Sequence, residues 1–424
     1  MKALFLSALV CAAAVSSAAD LTLSIDTKVP ARQAFPHGAP CVGYATDPQT
    51  GGEEAAIACR RAGAWLFRTA LCDDATLAFC AQYGLRLFVV LDGDQKAVVA
   101  TLNRLAQSPH KEVVAGLQLG ADPAGGADPA AWRKLAAHVA RQLPNIPIAL
   151  PVKNLESPLF VAMGGSLGPV THLLVDLRDA PAPYEKLEKI AGKLRASPDK
   201  SVERLRLWAV GPGRLPGAPY EEASASPTLA WQMHWIMSAL AVDRTDGVFV
   251  ERPCRADDFG LAIRHLWAST TGNRSLIGHG EGANASGAPK PAPKAPAADM
   301  ALDDDLGMDG IELSDAWTPG PAPVACANVA AGKPGDVEYL VLLAPPVDND
   351  GQRVCLFLVN TTGERVTIHL DVNKSGGNVT SGWRRRLVPD AEKGAMRNST
   401  RERAGKPFAE AVEPGEITFI DFRI

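Results

Sequence analysis

From residue 40 onward, short apolar runs alternate with longer stretches in which apolar residues recur every three or four positions. This is the pattern of repeated βα units around a parallel sheet. The apolar runs at 41–44, 65–69, 86–91, 114–119, 146–150, 172–176, 206–210 and 247–251 read as eight strands. Amphipathic stretches at 53–62, 75–83, 96–106, 129–142, 184–196, 227–242 and 257–269 read as the helices between and after them. Eight such units of about 30 residues predict an α/β fold closed as a (β/α)8 TIM barrel over residues 36–279. An open doubly wound sheet is the alternative, but no glycine-rich dinucleotide loop follows the first run.

The period changes in the last third of the chain. Alternating or apolar runs at 338–343, 353–360, 365–371, 382–388 and 416–423 are separated by turn residues and read as strands of an all-β domain. Residues 21–29 alternate in the same way, so a C-terminal β-sandwich over 301–424 is expected to take an N-terminal strand from 20–35 and to pack beside the barrel. Between them, 280–300 is rich in Pro and Ala and reads as a linker or insertion that cannot bury a core. Asp303, Asp304 and Asp305 read as a solvated loop, because the spaced ligands and turn glycine of a calcium loop are missing.

The chain opens with Lys2, an apolar run from Ala3 to Val15 and the small-residue exit Ser16-Ser17-Ala18-Ala19. This layout predicts a signal peptide over residues 1–19 and a secreted or periplasmic protein. The residue before Cys11 is Val10, bulkier than lipoprotein processing wants, which favours the unanchored reading. No later stretch approaches the roughly 20 apolar residues of a transmembrane segment. Lys plus Arg number 43 against 47 Asp plus Glu, without a basic stripe, which argues against a nucleic-acid partner. Beyond Cys11 lie Cys41, Cys59, Cys72, Cys80, Cys254, Cys326 and Cys355, an odd number that leaves at least one thiol unpaired. A Cys326–Cys355 bridge and buried free thiols are both open. Metal-ligand spacings of Cys and His are absent, so no metal or cofactor is expected. Gly164-Gly165-Ser166-Leu167-Gly168 lacks the strand–nucleophile–helix context of a serine hydrolase, and no phosphate loop is present. Asn-x-Ser/Thr sequons begin at Asn273, Asn284, Asn360, Asn373, Asn378 and Asn398.

Several local stretches fall in a telling order. Ala62-Gly63-Ala64-Trp65-Leu66-Phe67-Arg68 resembles a second barrel strand that carries an arginine beneath the site, and residues 83–91 resemble the third strand after its helix. Residues 231–250 resemble the seventh helix leading into strand eight, and Glu413-Pro414-Gly415-Glu416-Ile417-Thr418-Phe419 resembles the closing strand of an accessory sandwich. Together these resemble clan A of the glycoside hydrolases, retaining β-glycosidases built on a (β/α)8 barrel. The resemblance implies two glutamates about 5 to 5.5 Å apart, one protonating the leaving oxygen and one attacking the sugar carbon. It puts them at the ends of strands four and seven, on the C-terminal face of the barrel.

In that clan the fourth strand typically ends Gly-Asn-Glu-Pro; here it reads Gly120-Ala121-Asp122-Pro123. Asp122 therefore stands at the acid position, shorter by one methylene and without the neighbouring asparagine. Strand seven reads Leu207-Trp208-Ala209-Val210-Gly211-Pro212, which puts Gly211 at the expected nucleophile position. Both expected glutamates are replaced. Other strand-end acids are Asp92 and Asp94, Asp176 and Asp179, and Glu251. Such acids also cap helices or pair with arginines, and Arg178 lies beside Asp176 and Asp179. Arg68 has two readings, a sugar or acid contact and an ion pair in the mouth. Trp208 can stack a sugar ring or fill the core, and His172 reads as a satisfied structural residue.

The expectation is an exported glycoside-hydrolase-like protein, catalytically degenerate, that binds carbohydrate or a protein partner at the barrel mouth. Asp122 marks the mouth, and Arg68, Asp92, Asp176, Trp208 and Glu251 are the candidate binding residues. Two alternatives stay open: an active glycosidase that pairs Asp122 with Asp176 or Glu251, and an interaction or scaffold protein that works through its β-domain.

Overall fold

The computed structural model describes residues 42–120 except 63, 93 and 94, 129–152 except 145, 168–212 except 181 and 182, and 229–252 except 243. It also describes 259, 260, 262, 263 and 266 of the closing helical stretch. In the strand-rich part it covers 19–25, 32–33, 324–326, 337–344, 353–361, 364–372, 381–390, 395–398, 402–403 and 409–423. The expected leader up to residue 18, the Pro/Ala-rich segment, the acidic cluster at 303–305, Asp94 and Asp122 lie outside the described residues.

The N-terminal strands are β1 (Ala19–Ile25) and β2 (Arg32–Gln33). They are followed by β3 (Val42–Tyr44), α1 (Gly52–Ala62), β4 (Leu66–Thr69), α2 (Asp74–Tyr83), β5 (Arg86–Leu91), α3 (Gln95–Gln107) and β6 (Val114–Leu119). Then come α4 (Pro129–Gln142), β7 (Ile148–Val152), β8 (His172–Asp176), α5 (Pro183–Arg195), α6 (Lys200–Glu203), β9 (Arg206–Gly211), α7 (Leu229–Ala241) and β10 (Thr245–Val250). Strands β3 to β10 pair in parallel in chain order, and β10 closes on β3 through Val248 against Val42 and Val250 against Tyr44. The eight-unit pattern is therefore a closed barrel.

Strand alternation sorts the side chains into two cores. Leu66, Phe88, Ala149, Leu174, Trp208, Val210 and Phe249 form a cluster inside the barrel. Their immediate neighbours Phe67, Leu87, Val89, Leu173, Leu207, Ala209 and Val248 belong to the cluster under the helices. The period of two is thus buried on both faces, which is why these strands read as nearly continuous apolar runs. Gly116 makes room inside the barrel: a Cβ there would meet the Phe88 ring at 2.4 Å.

At the bottom of the barrel, Asp246 at the start of β10 accepts from Arg206 Nε at 2.8 Å and lies 3.0 Å from His172 Nε2. His172 Nδ1 is in turn 2.7 Å from the Thr171 hydroxyl. His172 and Asp246 are buried, and this trio ties the N-terminal ends of β8, β9 and β10 together.

The remaining strands are β11 (Val324–Cys326), β12 (Val337–Ala344), β13 (Arg353–Asn360), β14 (Val366–Val372), β15 (Ser381–Asp390), β16 (Ala395–Asn398), β17 (Glu402–Arg403), β18 (Ala409–Val412) and β19 (Ile417–Arg423). One sheet runs β16-β15-β19-β13-β12-β11-β2, with β17 on β15, and a smaller one runs β1-β14-β18. Both N-terminal strands join these sheets, β1 in parallel to β14 and β2 antiparallel to β11. Phe357, Val359, Ile417 and Phe419 belong to the same buried cluster as Trp231 and Trp235 of α7, so this domain packs on that helix.

These strands bear on two readings that the sequence leaves open. Cys326 on β11 pairs with Val341 and Cys355 on β13 with Leu342, so β12 lies between the two cysteines. Two strand spacings, about 9.5 Å, exceed the reach of a disulfide. Cys59 is disulfide-bonded, while Cys72 and Cys80 are buried free thiols. Asn360 cannot accept a glycan: it is fully buried, and its side-chain amide donates to the carbonyls of Glu364 and Val412, each at 2.9 Å.

Candidate functional site

The C-terminal ends of the barrel strands carry a ring of polar residues above the aromatic interior. Arg68 on β4, Gln118 on β6, Asp176 on β8 and Glu251 just past β10 each continue the inward phase of their strand, two residues above Leu66, Gly116, Leu174 and Phe249. These are barrel strands two, four, six and eight, the alternate-strand layering of a TIM barrel. Below them, Trp208 stacks on Phe249 with centroids 4.7 Å apart and lies 5.8 Å from Phe88. At 4% exposure Trp208 is part of the filling of the barrel and offers no ring face to a ligand, which corrects its reading as a binding residue.

Arg178, two residues beyond β8, bridges two of the acids. Its Nε donates to Asp176 Oδ1 at 2.9 Å and its Nη2 to Asp176 Oδ2 at 2.5 Å, a bidentate fork. Its Nη1 donates to Glu251 Oε1 at 2.9 Å. Partial burial pushes the Asp176 carboxyl up, but the hydrogen bonds and charge of Arg178, with the charge of Arg68 behind them, hold it below the usual aspartate value. The same bonds to Asp176 raise the Arg178 guanidinium further above its already high value.

Arg68 is held differently. Its Nε donates to Gln118 Oε1 at 2.8 Å, and the Gln118 amide in turn donates to the Gly120 carbonyl at 2.6 Å. Gln118 is fully buried. Burial, then the nearby Arg178 charge, lowers the Arg68 pKa against the opposing pull of Glu251 and Asp176.

The candidate residues thus separate. The structure brings Arg68, Asp176 and Glu251 to one mouth, leaves Asp92 exposed beyond β5, and puts Trp208 beneath the mouth. Asp122 falls two residues past Gly120, the last described residue of that strand end. Gly211 is not an emptied mouth position. A Cβ built on it would meet the Trp235 ring at 2.5 Å, so the position faces α7, and the inward residues of β9 are Trp208 and Val210. Sequence reading missed Gln118 and gave Arg178 only a local role. The signal for Gln118 was present, since an amide inside the apolar run 114–119 needs a partner when buried. Among the described residues, no group of three or more His, Cys, Asp or Glu is arranged to hold a metal ion, and no helix is long and apolar enough to cross a membrane.

No protein-family model matches this chain, and no curated protein matches it. Solved structures do. A GH30 endoxylanase from Clostridium papyrosolvens superposes at a TM-score of 0.55 with 9% identity, covering 96% of this chain and 100% of its own. A glucosidase from Croceicoccus marinus gives 0.54 with 12% identity over 96% and 99% of the two chains. An α-L-arabinofuranosidase from Thermotoga maritima gives 0.53 with 9% identity over 95% and 99%. The fold is therefore a (β/α)8 barrel with an accessory β-domain, the architecture that these glycoside hydrolases also have. At these identities the likeness is one of fold, and it extends over nearly the whole chain, β-domain included.

Proposed function

We propose that this is an exported glycoside-hydrolase-like protein that binds carbohydrate at its barrel mouth and does not cleave it. The observation that carries this reading is the Arg178 clamp. Hydrolysis by two carboxylates needs one of them protonated, with its pKa raised, and the other free to attack or to activate water. Asp176 is held low by the bidentate guanidinium, and the same arginine occupies Glu251. On β9 the inward positions are a tryptophan and a valine. What supports a carbohydrate ligand is the glycoside-hydrolase fold together with a concentration of fixed donors and acceptors at the strand ends, where TIM barrels collect their sites. Export rests on the signal-peptide layout of residues 1–19.

A second reading draws on the same clamp. One guanidinium holds Asp176 and Glu251 at the same mouth, and a substrate that displaced Arg178 would free them to act with Asp122. Hydrolysis of a panel of aryl glycosides and polysaccharides separates the two. The binding reading predicts no turnover above buffer. Turnover that disappears in Asp122→Ala overturns it in favour of an active enzyme.

A further inference from the structure

The chain segments that carry Arg178 and Glu251 are both pinned from outside the barrel, and the pins come from one helix. Past β8 the chain turns over residues 177–180, where the Leu177 N–H donates to the Val210 carbonyl and the Ala180 N–H to the Leu177 carbonyl, each at 2.9 Å. Arg178 sits inside that turn. The end of the turn is fixed by α7, whose Trp235 Nε1 donates to the Ala180 carbonyl at 2.9 Å. The same indole lies so close to Gly211 that a Cβ there would meet it at 2.5 Å, and the Gly211 carbonyl accepts the Glu251 N–H at 3.3 Å. One turn earlier on α7, Gln232 Oε1 accepts from Arg252 Nη1 at 2.6 Å, and the Arg252 guanidinium lies over the Phe259 ring, 4.2 Å from its centroid. Arg252 is the residue after Glu251. Gln232 and Trp235 are three positions apart, so they share one face of α7, and both are buried.

Arg178, Asp176 and Glu251 are each more than a third exposed. Ion pairs of that kind are weak by themselves, because water competes and long side chains lose rotamer freedom on pairing. One guanidinium that reaches two acids therefore needs the backbone of all three residues fixed beforehand. We infer that Trp235 and Gln232 are the positioning residues of the clamp: α7 sets the spacing of the strand ends so that Arg178 can hold Asp176 and Glu251 together. Trp235 acts on the Arg178 turn through Ala180 and on Glu251 through Gly211, and Gln232 acts on Glu251 through Arg252. The inference concerns the clamp itself, so it holds whether the mouth binds a sugar or cleaves it.

Nitrogen NMR of the guanidinium groups in the full chain reads the clamp without any ligand. Anchoring at both ends stops Arg178 from rotating about its Nε–Cζ bond and keeps its Nη1 and Nη2 signals apart. Trp235→Phe removes the N–H donor and part of the ring over Gly211, and Gln232→Leu removes the acceptor for Arg252. In each the two signals should merge, and in Trp235→Phe the Asp176 carboxyl should also titrate higher, as its burial stays while the fork loosens. Gln232→Glu keeps an acceptor for Arg252 and should keep the signals apart. Asp246→Asn weakens the opposite end of the barrel and should keep them apart as well, which separates positioning from a general loss of stability. Thermal unfolding checks that each variant is folded; if one is not, Arg252→Met breaks the Gln232 pin from a half-buried position and decides. Separate signals in folded Trp235→Phe and Gln232→Leu, or merged signals in Asp246→Asn or in the unaltered protein, overturn the inference. Merging in only one of the two α7 variants overturns the role of the other residue.

Discussion

Arg178 sits between two strand-end acids, and its removal should change their chemistry more than the stability of the fold. In Arg178→Gln, Asp176 loses the bonds that hold it below the usual aspartate value, while its partial burial remains. Its pKa should rise, read by carboxyl-carbon NMR titration; an unchanged value would mean that the clamp is not the cause. Because both side chains remain more than a third exposed, the stability change should stay under about 1 kcal/mol in a denaturant titration. The buried trio at the bottom of the barrel behaves oppositely. Burial pushes Asp246 up, but bonds from His172 and Arg206 outweigh it and hold the carboxyl low. A lowered folded pKa gives stability that is present above the unfolded value near about 4 and is lost as pH falls through the folded one. Asp246→Asn should therefore cost about 3 kcal/mol at neutral pH, with the difference from the parent shrinking in acid. Residues such as Asp176 and Glu251 were legible because a carboxylate ending an apolar run is conspicuous. Their shared partner was not, because its contact with Glu251 spans 73 positions of sequence.

The elements themselves were legible wherever apolar periodicity was strong. Strand β5 starts and ends where the pattern does, and β13 likewise. β7 is shifted by two residues from the expected 146–150: it begins at Ile148 and runs through Pro151 to Val152. Proline's fixed φ suits an extended strand, and the cost is one missing donor. The short strands β2, β11, β16, β17 and β18 were not anticipated, being two to four residues long and defined by their pairing partners. Gly211 was misread at this scale, since its side of β9 follows from the alternation of Trp208 and Val210 inward with Leu207 and Ala209 outward. It serves the packing of α7, whose Trp235 fills the space above it and donates to the Ala180 carbonyl at 2.9 Å. Gly211→Ala should destabilise by about 1 to 3 kcal/mol through overpacking. Gly211→Glu should give no hydrolase activity, because the carboxylate would be directed at Trp235; activity gained in that variant would contradict the assigned strand phase.

At the scale of the whole molecule, the barrel and the strand-rich domain share one buried cluster across α7 and β13. Both chain ends contribute to that domain, β1 at one end and β19 at the other. Removing residues 300–424 should therefore expose the apolar face of α7 and lower the thermal midpoint of the barrel sharply or prevent its folding; an unchanged midpoint would show that the two parts are independent. The two-domain plan was legible from the change of hydrophobic period, and the dependence of one part on the other was not, because α7 is apolar on nearly all sides whichever neighbour it meets. The central claim is that the mouth holds a sugar without cleaving it. Calorimetric titration of the intact protein with a panel of neutral and acidic oligosaccharides tests this most directly, since binding gives a saturating heat and hydrolysis a steady one. Saturating heat with no steady component is the predicted result. Steady heat that vanishes in Asp122→Ala would contradict it.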